Sequence, residues 1–178
     1  MQKKIRLKYV YILIMMALVC SCRTHQKHVN IHYTHQEELT IEKTEVEEKL
    51  KGQEKKVLEE AFEWLDTPYE YGRQDKGKAT DCSGMVMCVY ETAIGCKLPR
   101  NSARQAEFCE DIEHKEIKPG DLVFFITNKG SKINHVGIMI DTEKFIHASS
   151  HGVMVSSMLS DYYKTHWKKY GRVPCMKH

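Results

Sequence analysis

No Cys-x-x-Cys spacing occurs anywhere in the chain, so the usual ligand pattern of a structural zinc site is missing. There is also no basic patch interleaved with aromatics, which argues against a nucleic-acid partner. The apolar run Val10 to Val19 is about ten residues long, where a hydrocarbon core of ~30 Å needs about 20, so it is not a membrane helix. No internal repeat and no low-complexity domain appears. What remains is a chain of 178 residues, with room for one domain with a real core plus appendages.

The first residues differ in character from the rest. Lys3, Lys4, Arg6 and Lys8 precede the apolar run, and Val19-Cys20-Ser21-Cys22 follows it. A basic stretch, a short apolar stretch and small residues form a secretory signal sequence, expected over residues 1–21. Its end resembles the lipobox of bacterial lipoproteins, which implies Cys22 as the acylated first residue of a membrane-anchored protein. Cys20 is the competing candidate, with Val19 a poorer residue before the cut; plain secretion without lipid is the simpler alternative. Removing the four basic residues of 1–21 from the total of 27 leaves 23 against 24 acidic residues, a formal charge of −1. The basic balance therefore belongs to the signal. Export permits disulfides, and Cys82, Cys88, Cys96, Cys109 and Cys175 are an odd number, so at least one thiol stays unpaired. Spacing does not say which of them pair.

Residues 22–52 read as a polar tether, and 53–178 as the globular domain. His25, His28, His32 and His35 recur at helical spacing in the tether, a pattern suited to adventitious metal binding rather than to a folded site. Beyond Gly52, the spacing of Val57, Leu58, Ala61, Phe62 and Leu65 predicts an amphipathic helix that stops at Asp66-Thr67-Pro68. A polar loop, Arg73 to Thr80, leads to a buried helix headed by Asp81-Cys82-Ser83-Gly84 and closed by Gly95. A short helix follows, capped by Asn101 or Ser102. The period then changes. Strands are expected over Leu122 to Ile126, Ile133 to Ile140, Lys144 to Ala148 and Val153 to Val155, with a last turn of helix in Asp161 to Lys169. Helices first and an antiparallel meander after define an α+β fold.

Cys82 carries the chemical interest. At a helix start it faces unpaired backbone N–H groups and the positive end of the helix dipole, which favour thiolate over thiol. The alternative is a small buried apolar residue, the ordinary state of a free cysteine. A nucleophile needs a base, and two histidines lie in the strand region, His135 and His147. With a three-residue hairpin loop, Asp141 to Glu143, Ile140 pairs with Lys144 and Gly137 falls opposite His147. His135 is then its diagonal neighbour on the same face, and Gly137 leaves room for an imidazole. A loop one residue different would separate them. In the first register one histidine accepts the thiol proton and the other orients it, and imidazolium pairing would lower the Cys82 pKa.

From Pro68 to Val173 the chain resembles the NlpC family of papain-like cell-wall cysteine peptidases. The resemblance rests on Pro68-Tyr69-Glu70-Tyr71-Gly72, Asp81-Cys82-Ser83-Gly84, Leu98-Pro99-Arg100 with Ser102 and Gln105, Pro119-Gly120-Asp121-Leu122-Val123-Phe124-Phe125, His135-Val136-Gly137-Ile138 and Phe145-Ile146-His147-Ala148. Six weak motifs in one order are together specific. The resemblance implies a papain-like fold with helices packed on an antiparallel sheet, and hydrolysis of peptidoglycan stem peptides after a γ-linked D-glutamate and before a diamino acid. It implies Cys82 as nucleophile, His135 as general base and acid, and His147 as orienting residue, with no cofactor and no metal. Tyr69, Ser83, Asp81 and Arg73 would serve the substrate groove or the oxyanion. Arg73 departs from the family's second glycine at that point, which touches substrate preference more than chemistry. The expected protein is a monomer, lipid-anchored to a bacterial membrane, the outer membrane on its periplasmic side. Two competing readings are an N-acetylmuramoyl-L-alanine amidase of the same fold and a non-catalytic wall-binding lipoprotein. Intact Cys82, His135 and His147 argue against the last.

Overall fold

The computed structural model describes Thr40, Lys43, Thr44 and residues 48–177. The expected signal sequence, Cys22 and the four histidines of the tether lie outside the described residues.

Apolar residues at helical spacing make the first full helix, α1 (Gly52–Phe62), which buries Val57, Leu58, Ala61 and Phe62. Leu50, just ahead of it, packs against the same core. The polar loop contains a small hairpin, β1 (Gln74–Asp75) with β2 (Ala79–Thr80). Next comes α2 (Cys82–Ile94), ended by Gly95 in the left-handed conformation (φ 69°). The short helix α3 (Ser102–Phe108) starts at Asn101, whose side chain accepts the N–H of Arg104 at 3.0 Å.

The six-stranded sheet has the order β3-β8-β4-β5-β6-β7, every neighbour antiparallel. Its strands are β3 (Glu110–Ile112), β4 (Leu122–Phe125), β5 (His135–Met139), β6 (Lys144–Ser149), β7 (Gly152–Ser157) and β8 (Trp167–Arg172). Strands β4 to β7 form the expected meander. The end of the chain does not follow expectation. Only Asp161–His166 is helical (α4), and Trp167–Arg172 is a strand inserted between β3 and β4. Its alternation is hidden because the β4–β8 register shifts between Phe124 and Phe125, which pair with Lys169 and Trp167. Lys169 also spends its ammonium on the Ala106 carbonyl (2.8 Å) and on Asp111.

Each face of the sheet carries a core. Leu122, Phe124, Val136, Ile138, Ile146 and Ala148 pack against α1 and α2. Val123, Phe125, Met139, Phe145 and Tyr170 form a smaller cluster on the other face. Two polar ties brace the assembly. The Arg172 guanidinium donates to both oxygens of the fully buried Asp121, at 2.9 and 2.7 Å, and the Tyr90 hydroxyl donates to the Gly120 carbonyl. A disulfide, Cys96–Cys175, joins the loop after α2 to the C-terminal tail, while Cys82, Cys88 and Cys109 are free.

Candidate active site

Asp81 ends the loop and caps α2. Its Oδ1 accepts the N–H of Gly84 at 2.7 Å, and its Oδ2 accepts the N–H of Gly72 at 2.8 Å. Arg100 grips the same carboxylate with two donors, at 2.9 and 2.8 Å, and reaches the Ser83 hydroxyl at 3.1 Å. Burial works to raise the Asp81 pKa, but the Arg100 guanidinium and the Gly84 and Gly72 N–H groups outweigh it and hold the carboxyl below its ordinary value. Gly84 is required by this packing. A Cβ there would sit 2.5 Å from the Arg73 carbonyl oxygen and 3.2 Å from Arg100 Nη2. The four residues Asp81 to Gly84 thus tie the head of α2 to the Gly72–Arg73 turn and to Arg100.

Cys82, first in α2, is 7% exposed, and its Sγ lies 4.0 Å from the Asn134 carbonyl oxygen, next to His135. Burial pushes its thiol up to about 11; the Val136 N–H opposes this, the Asp81 charge adds to it, and the Ser83 and Cys82 N–H groups oppose it again. The expectation of a thiol pKa lowered by the helix start is therefore corrected: desolvation outweighs the N–H groups.

The hairpin has the register that unites the histidines. Ile138 pairs with Ile146 and Met139 with Phe145, and the Ile140 N–H donates to the Lys144 carbonyl at 2.9 Å. Continued, this places Gly137 against His147, whose Cβ is 3.2 Å from where a Gly137 Cβ would stand. His135 Nε2 and His147 Nδ1 are 2.7 Å apart. The His147 ring, 1% exposed, packs on Phe145 (4.8 Å between centroids), and its Nε2 faces Ser156 Oγ at 2.9 Å and Tyr163 Oη at 3.1 Å. Burial lowers the His135 pKa to about 4; burial, then the neighbouring His135, lowers that of His147.

A cleft of about 460 Å³ opens over Cys82, walled by Tyr69, Tyr71, Ser83, Arg100 and Asn134 among others. Tyr69 is 39% exposed, bridges to Thr80, and has its pKa raised by burial and then by Cys82, so it is a cleft tyrosine rather than a core one. Ser83 lines the cleft but is committed to Asp81 and Arg100. Arg73 is not in the wall; its guanidinium pairs with Asp75 at 2.9 Å, and its carbonyl accepts from Asp81 and Arg100. Among the described residues, no group of His, Cys, Asp and Glu is arranged to hold a metal ion. Arg100 was legible as part of Leu98-Pro99-Arg100, though not as a cleft residue. Asn134, Ser156 and Tyr163 carried no signal, since only the folded sheet brings them to the site.

Helices laid on an antiparallel sheet, with a cysteine heading the buried helix and two bonded histidines on the strands beside it, define the papain-like class. Within that class, the model of the NlpC/P60 family matches residues 66–172, more than half of the chain, which therefore belongs to that family of cysteine peptidases. The probable endopeptidase NlpC of Escherichia coli is 42% identical over 59% of this chain and 69% of its own. The gamma-DL-glutamyl hydrolase of Bacillus subtilis is 36% identical over 61% of this chain but only 27% of its own. A Staphylococcus aureus structure, described as similar to a lipoprotein of the NLP/P60 family, superposes with a TM-score of 0.63 at 30% identity, covering 68% of this chain and 41% of that one.

Proposed function

We propose that this chain is an exported, lipid-anchored endopeptidase that cuts peptidoglycan stem peptides at the bond between D-γ-glutamate and a diamino acid. The 2.7 Å hydrogen bond between His135 and His147, beside a cysteine lodged against Asn134 and Val136, carries the reading. His147 occupies Nε2 of His135, leaving Nδ1 as the nitrogen available to the thiol. In the reaction His135 Nδ1 takes the Cys82 proton as Sγ attacks the scissile carbonyl. The oxyanion is met by the backbone N–H of Cys82 and the Tyr69 hydroxyl, where one such donor is worth roughly 3 kcal/mol. His135 then protonates the leaving amine, and water, deprotonated by the same histidine, cleaves the thioester and frees Cys82. His147 keeps the imidazole aligned throughout. Asp81 and Arg100 hold the head of α2 and one wall of the cleft.

The glutamyl bond is supported by the relative named a gamma-DL-glutamyl hydrolase, and the wall substrate by relatives named as murein and DL-endopeptidases. Export and acylation at Cys22 rest on residues 1–22 of the sequence. Purified muropeptides digested with the protein and resolved by mass spectrometry test this reading. Stem peptides shortened after γ-D-glutamate are expected, and no shortening with Cys82→Ala. Release of intact stem peptide from muramic acid would make the chain an amidase instead. No product with either protein would sink the enzymatic reading.

A further inference from the structure

His135 acts as a base toward Cys82 only if its Nδ1 is bare, and a neutral imidazole has one bare nitrogen. Its proton must then sit on Nε2, pointing at His147 Nδ1, which must be bare in turn. So His147 must carry its own proton on Nε2. The opposite arrangement, with every proton moved one nitrogen along, leaves His135 presenting N–H to the sulfur and unable to accept a proton. The 2.7 Å contact between the rings fits both arrangements. The choice is made at the far end of the chain of hydrogen bonds.

Two hydroxyls stand at that end. Ser156 comes from β7, two residues beyond Met154, the direct cross-strand partner of His147, and so on the same face of the sheet. Tyr163 comes from α4, packed edge-on to Phe145 (4.8 Å) and to His147 (5.5 Å). Ser156 Oγ lies 2.9 Å and Tyr163 Oη 3.1 Å from His147 Nε2, and Ser156 donates to Tyr163 at 3.4 Å. A serine whose proton goes to Tyr163 offers only lone pairs to His147, and with the proton of the half-buried Tyr163 turned outward both hydroxyls act as acceptors. A buried N–H left without an acceptor is costly enough to reverse a tautomer preference.

We propose that Ser156 and Tyr163 are positioning residues that hold His147 in its Nε2–H tautomer and thereby set His135 as a base. The device rests on the reading of Cys82 and His135 as nucleophile and base. It passes orientation, not charge. Burial keeps His147 neutral, so the imidazolium formed at His135 is stabilised by the lone pair that His147 turns toward it. Phe145, and Phe125 beyond it, wall the pair.

The experiment compares wild type, Tyr163→Phe, Ser156→Ala and the double variant. Imidazole ¹⁵N NMR reports the His147 tautomer, and hydrolysis of a muropeptide gives kcat and KM. Wild type should show the Nε2–H tautomer. Ser156→Ala should lose several-fold in kcat, because Tyr163 still accepts, and Tyr163→Phe should lose more, because Ser156 is then free to donate to His147 instead. The double variant should lose on the order of 10- to 100-fold in kcat with KM changed less than about twofold, and its His147 signal should move toward a tautomer mixture. An Nδ1–H tautomer in wild type, or an unchanged tautomer in the double variant, overturns the proposal. If the double variant fails to fold, the wild-type tautomer and the isosteric Tyr163→Phe decide it alone. The NMR readout needs no turnover. A wild type that cuts nothing while showing the expected tautomers refutes the enzymatic reading and leaves the hydrogen-bond chain standing.

Discussion

Cys82 and His135 are each pushed toward the neutral form by burial, yet the proposed reaction needs a thiolate and an imidazolium. The two statements agree once the pair is taken as a unit. Moving a proton from sulfur to nitrogen creates no net charge, and the opposite charges so formed attract each other more strongly in a buried site than in water. What burial opposes is a pair that gains or loses a proton outright. Gain is governed by His135, lowered to about 4, and loss by Cys82, raised to about 11. The pH profile of kcat/KM should therefore be a broad plateau. Its acid limb should fall well below 6.5, the ordinary histidine value, and its alkaline limb above 9.0, the ordinary thiol value. An acid limb at 6.5 would mean that the imidazole is solvated rather than enclosed. The residue-level chemistry was only half legible in the sequence. Cys82 at a helix start suggested a lowered thiol pKa, because a helix dipole is visible in a motif. Desolvation by the strand beneath it is a property of the fold.

Among the elements, α2 and the β5–β6 hairpin set the site; the first was legible from its ends, the second only if its loop has three residues. Asp81-Cys82-Ser83-Gly84 and Gly95 mark the ends of α2 by capping chemistry, which is local. The hairpin register follows from a three-residue loop and the period of two; the sequence allowed that loop without fixing it, and a loop one residue different would have separated Gly137 and His147. Strand β8 was not legible, because a register shift and two lysines erase its alternation, and its pairing with β4 is not local. The short β3 was lost with it, since its sheet neighbour is β8. The head of α2 yields a sharp expectation. Gly84→Ala would drive a Cβ to 2.5 Å from the Arg73 carbonyl, backbone that has no room to give while it accepts from Asp81 and Arg100. A cost of about 1–3 kcal/mol should appear as a melting temperature lower by roughly 3–10 °C. Turnover should fall as well, because α2 carries Cys82. Unchanged melting and turnover would show that the Asp81–Arg100 tie does not position the helix.

In the whole molecule, one sheet separates two cores and carries the two histidines on its interior strands β5 and β6. The Cys96–Cys175 disulfide fits a protein that matures outside the cytoplasm, as the sequence of residues 1–21 also suggests. The fold class was readable from the order of helices before strands; the pairing of cysteines was not, because it depends on where the C-terminal tail returns. In the proposed reaction Cys82 attacks the γ-D-glutamyl carbonyl of a stem peptide and holds it as a thioester. The most direct measurement mixes the protein with a muropeptide, quenches in acid within the first turnover, and weighs intact protein and proteolytic fragments. The expected result is a mass increase equal to the part of the muropeptide up to its D-glutamate less one water, carried on the fragment containing Cys82 and absent from Cys82→Ala. Cleavage at the wild-type rate by Cys82→Ala, with no acyl group on any cysteine, would contradict it.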